Sequence, residues 1–268
     1  MAKQPPMHKA RKRFGQNFLQ EPNIIRRIIS AIYPKDDDHL VEIGPGLGAI
    51  TEELLAARGA LDAIELDRDL VPILRTKFFR YGDNFQVHEA DAMKFDFAAL
   101  KGDGPELRVV GNLPYNISTQ LIFHLLSHSD VIADMHFMLQ KEVVDRMAAG
   151  PGENNYGRLG IMTQYFCRVE PLFIVPPEAF DPIPKVDSAI VRLVPYKTLP
   201  HPAKDLDMLQ NVVRTAFNQR RKTLRNNLKP LINAEDLEQL GIDPSLRPER
   251  LDLASFVKIS DFLVSAND

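Results

Sequence analysis

Short apolar runs alternate with amphipathic stretches along most of the chain. The runs are rich in branched aliphatic residues and end in glycine or polar turns, and the stretches between them repeat apolar residues every three or four positions. This alternation predicts parallel strands joined by crossover helices, and therefore an α/β fold with a doubly wound sheet. The predicted strands cover residues 40–43, 61–66, 85–88, 107–110 and 135–139, and the apolar segments 172–175 and 189–194 are expected to form a terminal hairpin-like pair.

The predicted helices fill the segments between these strands. One precedes the first strand, where isoleucines recur at helical spacing from Asn23 until Pro34 ends the pattern. The others cover residues 50–57, 70–79, 118–127, 141–148 and 160–167. A stiff loop is expected at the prolines between residues 176 and 184, and such loops often line binding sites.

The chain changes character near Pro200. Beyond it we find only helical patterns, over residues 206–228, 234–240 and 251–264. A chain of 268 residues is long enough for one large domain and a small companion. We therefore predict a Rossmann-like domain over residues 1–199, which begins with a basic arm at residues 1–22, and a small all-helical domain over residues 200–268.

The composition excludes several classes of protein. Hydrophobic residues make up 44% and charged residues 26% of the chain, as in ordinary folded proteins. No window approaches the roughly 18 apolar residues of a membrane span, and the N-terminus is basic where a secretory signal would be apolar, so we expect a cytoplasmic protein with no membrane partner. Cys167 is the single cysteine, which excludes an internal disulfide and a multi-cysteine metal site. We expect a buried thiol and no metal.

The net charge of −3 hides an uneven distribution. Residues 1–30 carry seven Lys and Arg against Glu21 alone, and residues 211–229 carry six Lys and Arg with no carboxylate. A polyanion such as RNA would be drawn to these two stretches and repelled by the rest of the surface. Two solvated, charged faces explain the same distribution, so charge alone does not decide between them.

A glycine turn joins the first predicted strand to the next helix. Its sequence, Gly44-Pro45-Gly46-Leu47-Gly48, lets a ligand approach the backbone closely. Glu65 lies 21 residues beyond Gly44, at the end of the second strand, where a carboxylate can accept both hydroxyls of a ribose, and Asp91 follows the third strand, where it can reach an adenine amine. The Gly-x-Gly-x-Gly spacing differs from the dinucleotide fingerprint and favours S-adenosylmethionine over NAD. The alternative is a packing turn with a solvated Glu65.

A second candidate element, Asn112-Leu113-Pro114-Tyr115, follows the fourth predicted strand, at the edge of the sheet where ligands bind in such folds. An exocyclic adenine amine is a poor nucleophile, so a transferase must hold it with acceptors, which the Asn112 side-chain oxygen and the Leu113 carbonyl can supply. Pro114 stiffens the turn, and the Tyr115 ring offers a face on which a base removed from its helix can stack. The alternative is a β-turn with a satisfied asparagine and a half-buried tyrosine.

Several motifs in the same order resemble the ribosomal RNA adenine dimethyltransferases, and among them the 16S ribosomal RNA dimethyltransferases of the KsgA family. They span nearly the whole chain, at Lys12–Leu19, Val41–Gly48, Glu65–Asp67, Asn112–Tyr115 and Phe180–Ser188. The resemblance implies S-adenosylmethionine as cofactor and transfer of two methyl groups to N6 of each of two adjacent adenines near the 3′ end of 16S ribosomal RNA. The implied partner is the small (30S) subunit, for which the protein would also be an assembly factor, and we expect a monomer.

The resemblance also implies roles for individual residues. The cofactor would be contacted by Asn17, Leu19, Gly44, Gly46, Glu65, Asp91 and Asn112. The target adenine would be held by Asn112, Leu113, Pro114 and Tyr115, and Phe180 would be a second stacking surface.

The segment Arg214–Leu224 resembles the C-terminal domain of the same family, which implies that it helps the protein dock on the small subunit. From the residues themselves, the cations there can meet phosphates, whereas the apolar residues form a stripe that faces the rest of the domain. The cations are Arg220, Arg221, Lys222 and Arg225, and the stripe is Phe217, Leu224 and Leu228.

Three other functions stay open on the sequence. The antibiotic-resistance dimethyltransferases of large-subunit RNA share the cofactor and adenine motifs, although the C-terminal sequence argues against this function. A ribosome-assembly factor would bind immature small subunits with little or no turnover. A dinucleotide-dependent enzyme would bind NAD at the glycine turn.

Overall fold

The computed structural model describes residues 17–267. Its strands are β1 (Phe18–Leu19), β2 (His39–Ile43), β3 (Leu61–Glu65), β4 (Phe85–Glu89), β5 (Leu107–Asn112), β6 (Ile132–Gln140), β7 (Cys167–Val175), β8 (Phe180–Asp181) and β9 (Ser188–Pro195). Its helices are α1 (Pro22–Ile32), α2 (Ala49–Arg58), α3 (Leu70–Lys77), α4 (Phe97–Lys101), α5 (Ser118–Leu126), α6 (Lys141–Ala148), α7 (Arg158–Phe166), α8 (Leu206–Ala216), α9 (Leu224–Leu228), α10 (Ala234–Gln239) and α11 (Leu253–Asn267).

Seven strands form one sheet in the order β4-β3-β2-β5-β6-β9-β7. The strands from β4 to β6 are parallel, whereas β9 is antiparallel to β6. The doubly wound α/β sheet is therefore confirmed, and the apolar segments 172–175 and 189–194 do lie in neighbouring strands at one end of it. The short strands β1 and β8 form a separate antiparallel pair, in which Leu19 lies opposite Phe180. Residues 1–16, most of the predicted basic arm, lie outside the described residues.

The order of the strands reverses direction between β2 and β5. From β2 the chain proceeds to β3 and β4 on one side, and it then returns to place β5 and β6 on the other side. Crossover helices leave adjacent strands in opposite directions at such a point, which opens a crevice at the carboxyl ends of the strands. The crevice lies beside Gly44, which follows β2, and Asn112, which ends β5.

One hydrophobic cluster holds this part of the fold together. Helix α1 contributes Ile24, Ile28 and Ile32, which are spaced four residues apart on one face and are all buried. The side chain of Glu21 caps the first turn of this helix by accepting a hydrogen bond from the amide of Asn23 at 3.1 Å. Helix α1 is therefore packed against the core that supports the crevice.

The chain forms two compact units. One contains the described residues up to Val144 together with Glu170–Pro195, and the other contains Asp145–Val169 together with the described chain from Tyr196 onward. Residues 145–169 thus belong with the C-terminal helices. The functional division into residues 1–199 and 200–268 stays a prediction. In the part of the chain that the structure describes, no helix is both long and apolar enough to span a bilayer.

The helical pattern predicted over residues 206–228 is divided between two helices. Helix α8 ends at Ala216, and residues 217–223 form turns before α9 begins at Leu224. Three adjacent cations, Arg220 to Lys222, lie within the interruption, and residues 218–223 carry no apolar side chain that could pack a helix face against the core. The predicted apolar stripe is partly confirmed, because Leu224 and Leu228 are fully buried, whereas Phe217 is only half-buried.

A buried ionic network lies on β5, β6 and β9. The guanidinium of Arg108 donates to both oxygens of Asp134, at 2.9 and 3.0 Å, and Arg192 donates to the same carboxylate at 3.2 Å. These partners hold the pKa of Asp134 below its usual value in spite of its burial. His136, 3% exposed, lies beside this network, and its burial lowers its pKa to about 4.

The buried imidazole of His136 predicts a loss of stability in mild acid. Since its pKa is lower in the folded protein than in the unfolded chain, where it is about 6.5, the unfolded state binds more protons as the pH falls below 6.5. Stability is therefore fully present above pH 6.5 and falls towards pH 4. When the pH is lowered from 7.5 to 5, the free energy of unfolding measured with urea should fall by about 2 kcal/mol more in wild type than in His136→Gln. Equal losses in the two proteins would contradict a neutral, buried imidazole.

Candidate active site

A cavity of about 830 Å³ opens at the carboxyl edge of the parallel strands. Its walls are the segments that follow four adjacent strands, β2, β3, β4 and β5, together with β1 and the start of α1. A cavity of this size is in the usual range for small-molecule and cofactor sites, and its position at the reversal of strand order is where α/β folds bind ligands.

The glycine turn forms one wall of the cavity. Gly44 and Gly46 have φ values of 66° and 59°, in the left-handed region that glycine adopts without a steric penalty. The amide of Gly44 donates to the carbonyl of Ile64 on β3 at 2.9 Å, and the amide of Gly48 donates to the carbonyl of Pro45 at 2.9 Å. These hydrogen bonds fix the turn against the neighbouring strand, and α2 begins directly after it.

Glu65 ends β3 inside the cavity and is 6% exposed. Its two carboxylate oxygens accept hydrogen bonds from the amide of Asp67 at 2.8 Å and from the amide of Gly46 at 3.3 Å. Burial raises the pKa of Glu65 although these amides favour the ionised form. The carboxylate thus connects the second strand with the glycine turn, and it lies where a ligand bound along that turn would meet it.

Glu42 lies on β2, next to the glycine turn, and is 1% exposed. Burial raises its pKa to about 7 in spite of a hydrogen bond of 2.6 Å donated by the hydroxyl of Thr51, and the nearby charge of Glu65 raises it further. Near neutral pH this carboxyl group is therefore only partly ionised. The sequence shows Glu42 beside the glycines but carries no signal for its hydrogen bond with Thr51.

The segment Asn112–Tyr115 forms another wall of the cavity, after the strand next to the one that carries the glycine turn. The Asn112 side-chain amide donates through Nδ2 to the backbone oxygen of Asn17 at 3.0 Å, which leaves Oδ1 as its acceptor atom. The amide of Leu113 donates to the carbonyl of Met138 on β6 at 3.2 Å. The hydroxyl groups of Tyr115 and buried Ser188 share a hydrogen bond of 2.6 Å, which anchors the end of the tyrosine side chain. The segment is therefore held at three points.

The structure brings all but one of the predicted site residues to this cavity. The residues among its walls are Asn17, Leu19, Gly44, Gly46, Glu65, Asp91, Asn112, Leu113, Pro114 and Tyr115. Phe180 is not brought there, because β8 pairs with β1 and the side chain of Phe180, 3% exposed, packs in the hydrophobic cluster. Its role as a second stacking surface stays a prediction.

The sequence interpretation missed two cations and one hydroxyl group at the site. Arg26 on α1 and Lys77 on α3 belong to the walls of the cavity, and Ser188 anchors Tyr115. The first two come from helices read only for their apolar faces. Ser188 was noted within a motif, but its pairing with a tyrosine 73 positions away has no local signal.

Together, the parallel sheet, the glycine turn and the buried carboxylate at the end of the second strand define the fold of an S-adenosylmethionine-dependent methyltransferase. The chain belongs to the ribosomal RNA adenine dimethylase family, which it matches over residues 7–265.

Two bacterial relatives match nearly the whole chain. The ribosomal RNA small subunit methyltransferase A of Marinobacter nauticus is 68% identical over 256 residues, which cover 96% of this chain and 92% of that protein. The protein of the same name from Pseudomonas aeruginosa is 62% identical over 256 residues, with 96% and 95% covered. The similarity therefore includes both compact units.

Solved structures show the same architecture. A dimethyladenosine transferase from Plasmodium falciparum superimposes with a TM-score of 0.76 at 31% identity, over 90% of this chain and 95% of that one. The 23S rRNA methyltransferase ErmE superimposes with a TM-score of 0.71 at 24% identity, over 92% of this chain and 100% of that one. At that identity the second match establishes the fold alone.

The two glycines that flank α2 provide a matched test of packing beside the site. Gly48 and Gly59 both have positive φ, 82° and 79°, but a Cβ on Gly48 would lie 2.7 Å from the ring of Phe78, whereas one on Gly59 would meet nothing within 4 Å. Thermal or urea unfolding should show a loss of about 1 kcal/mol for Gly59→Ala and about 2–4 kcal/mol for Gly48→Ala. Equal losses would show that Phe78 does not restrict the turn.

Proposed function

We propose that the protein transfers methyl groups from S-adenosylmethionine to N6 of two adjacent adenines near the 3′ end of 16S ribosomal RNA in the small subunit, giving N6,N6-dimethyladenosine. The observation that carries this proposal is the meeting of the glycine turn, Glu65 and the segment Asn112–Tyr115 around one cavity, in a member of the ribosomal RNA adenine dimethylase family. The names of the bacterial relatives support the small subunit as the substrate.

The residues in the walls of the cavity fit S-adenosylmethionine chemically. The buried carboxylate of Glu65 would accept hydrogen bonds from the ribose hydroxyls, and Asp91, two residues beyond the next strand, would accept one from the adenine amine. The glycines would let the cofactor approach the backbone closely. Asn17 and Leu19 of the N-terminal segment would cover the same ligand. When bound, the cofactor supplies a methyl group on a sulfonium, which is already an activated leaving group.

The target adenine requires acceptors and a stacking surface. Asn112 Oδ1 and the Leu113 carbonyl would accept hydrogen bonds from the N6 amine, whose lone pair is otherwise delocalised into the ring. Because Nδ2 of Asn112 donates to Asn17, the orientation of the side-chain oxygen is fixed before substrate arrives. Tyr115, anchored by Ser188, would stack on the extruded base and offset an unstacking cost of a few kcal/mol. Catalysis then comes mainly from positioning.

RNA contact outside the cavity is proposed for the second compact unit. Its turn after α8 exposes Arg220, Arg221 and Lys222, and Arg225 is exposed on α9. These cations would bind phosphates of the RNA backbone and so contribute affinity for the small subunit. Such binding by a separate unit also favours a second function as a small-subunit assembly factor.

Replacement of Asn112 distinguishes methyl transfer from binding of the small subunit. We expect Asn112→Ala to reduce methyl transfer to small subunits at least about 100-fold, because both an acceptor and its anchor to Asn17 are lost. Subunit binding should change less than twofold. Asn84→Ala, which changes an exposed asparagine outside the walls of the cavity, is the matched control and should keep near wild-type activity. Transfer of tritium from labelled cofactor measures the effect, and unchanged transfer by Asn112→Ala would contradict the proposed site.

Replacing Glu65 tests the cofactor. Calorimetry should detect S-adenosylmethionine binding to wild type and no binding of NAD. We expect Glu65→Gln to weaken cofactor binding about 10- to 100-fold, because hydrogen bonds to a charged acceptor are lost. Glu89→Gln, at the exposed end of the next strand, should bind as wild type does. Binding of NAD by wild type would instead support a dinucleotide-dependent enzyme.

A further inference from the structure

The interruption between α8 and α9 contains a turn built from cations. The amide of Lys222 donates to the carbonyl of Gln219 at 3.0 Å, which closes a β-turn with Arg220 and Arg221 at its two central positions. All four residues of this turn, which we name the cationic turn (residues 219–222), are exposed.

The cationic turn is unfavourable in its local chemistry. It contains none of the residues that commonly stabilise turns, namely glycine, proline, asparagine or aspartate. It also holds three positive charges in sequence, which repel one another. The conformation must therefore be stabilised by groups outside the turn.

A buried asparagine on α9 supplies that stabilisation. Asn227, 7% exposed, accepts a hydrogen bond from the amide of Gln219 at 3.2 Å and donates to the carbonyls of Gln219 at 3.1 Å and Lys222 at 3.3 Å. One side chain thus binds both ends of the turn. A buried side-chain amide that makes these hydrogen bonds is stabilising, whereas one left without partners is destabilising.

A second anchor acts on the tip of the turn. The guanidinium of Arg220 donates to the backbone oxygen of Asn154 at 2.8 Å, within the same compact unit. Arg220 is thereby tied to the protein, whereas Arg221 and Lys222 extend from a turn whose backbone is already fixed. Because the backbone of the turn is already ordered, an anion that binds there has a smaller entropic cost of ordering to offset.

We infer that Asn227 is a positioning residue for RNA binding, which holds the cationic turn so that Arg221 and Lys222 form a prearranged site for phosphates of the ribosomal RNA backbone. The inference rests on the proposed function, since the anion is taken to be the substrate RNA. The adjacent positive charges disfavour this turn, and binding sites with unfavourable local structure are commonly held in place by buried supporting side chains.

The test uses Asn227→Leu, which has a similar size and no hydrogen-bonding group. Asn226→Ala, an exposed asparagine on the same helix, is the matched control, and the double variant Arg221→Ala/Lys222→Ala removes the inferred phosphate contacts directly. Binding to small subunits is measured over a range of salt concentrations. Helix content and thermal unfolding establish that each variant is folded, and Asn227→Ser, a smaller polar change, replaces Asn227→Leu if the latter is not.

Both the double variant and Asn227→Leu should bind about tenfold more weakly, and each lost phosphate contact should reduce the slope of log K against log salt by about 0.7–0.9. Asn226→Ala should match wild type. A folded Asn227 variant with the wild-type slope, whether or not its affinity falls, would overturn the positioning role, and a double variant with wild-type binding would overturn the phosphate site. Absence of methyl transfer by wild type to small subunits would instead overturn the proposed function.

Discussion

The close parallel pairing of β2 and β5 is the constraint on which the rest of the site depends. Ile43 lies opposite Gly111 in this pair, and a Cβ at Gly111 would lie 2.6 Å from the carbonyl oxygen of Ile43. Only glycine allows the strands to approach so closely. Because of this pairing the glycine turn after β2 and the acceptor residue Asn112 at the end of β5 face one cavity, so a methyl donor and its acceptor can share it.

The two proposed ligands require surfaces of opposite charge. In the walls of the cavity, acidic residues such as Glu52, Glu65 and Asp91 outnumber the cations Arg26 and Lys77, which suits a cofactor that carries a sulfonium and an ammonium group. The cationic turn is on the second compact unit and suits a polyanion. The small net charge of −3 is therefore the sum of an acidic cavity and a basic turn, each of which suits a ligand of the opposite charge.

Much of the first compact unit could be predicted from the sequence. The central strands there are short, nearly continuous apolar runs, and the helices between them repeat apolar residues every three or four positions. The site residues Gly44, Glu65 and Asn112 lie at or just after the carboxyl ends of strands, which must meet at one edge. Asn17 was assigned to the site only through the resemblance to a known family, because the pattern of apolar and polar residues does not single it out.

The contacts that lacked a local signal were not predicted. The pairing of Tyr115 with Ser188 joins residues far apart in the chain, and the burial of Phe180 follows from the pairing of β8 with β1. The break between α8 and α9 is stabilised by the side chain of Asn227 across a turn that has no turn-forming residue. Such features depend on tertiary contacts rather than on composition or period.

The most direct test of the central claim is the chemical identity of the product. Wild-type protein is incubated with labelled S-adenosylmethionine and with small or large ribosomal subunits that lack their adenine methylation, and the RNA is digested to nucleosides. We expect N6,N6-dimethyladenosine from small subunits and none from large subunits. Label confined to large-subunit RNA, or binding of small subunits without any transfer, would contradict the central claim.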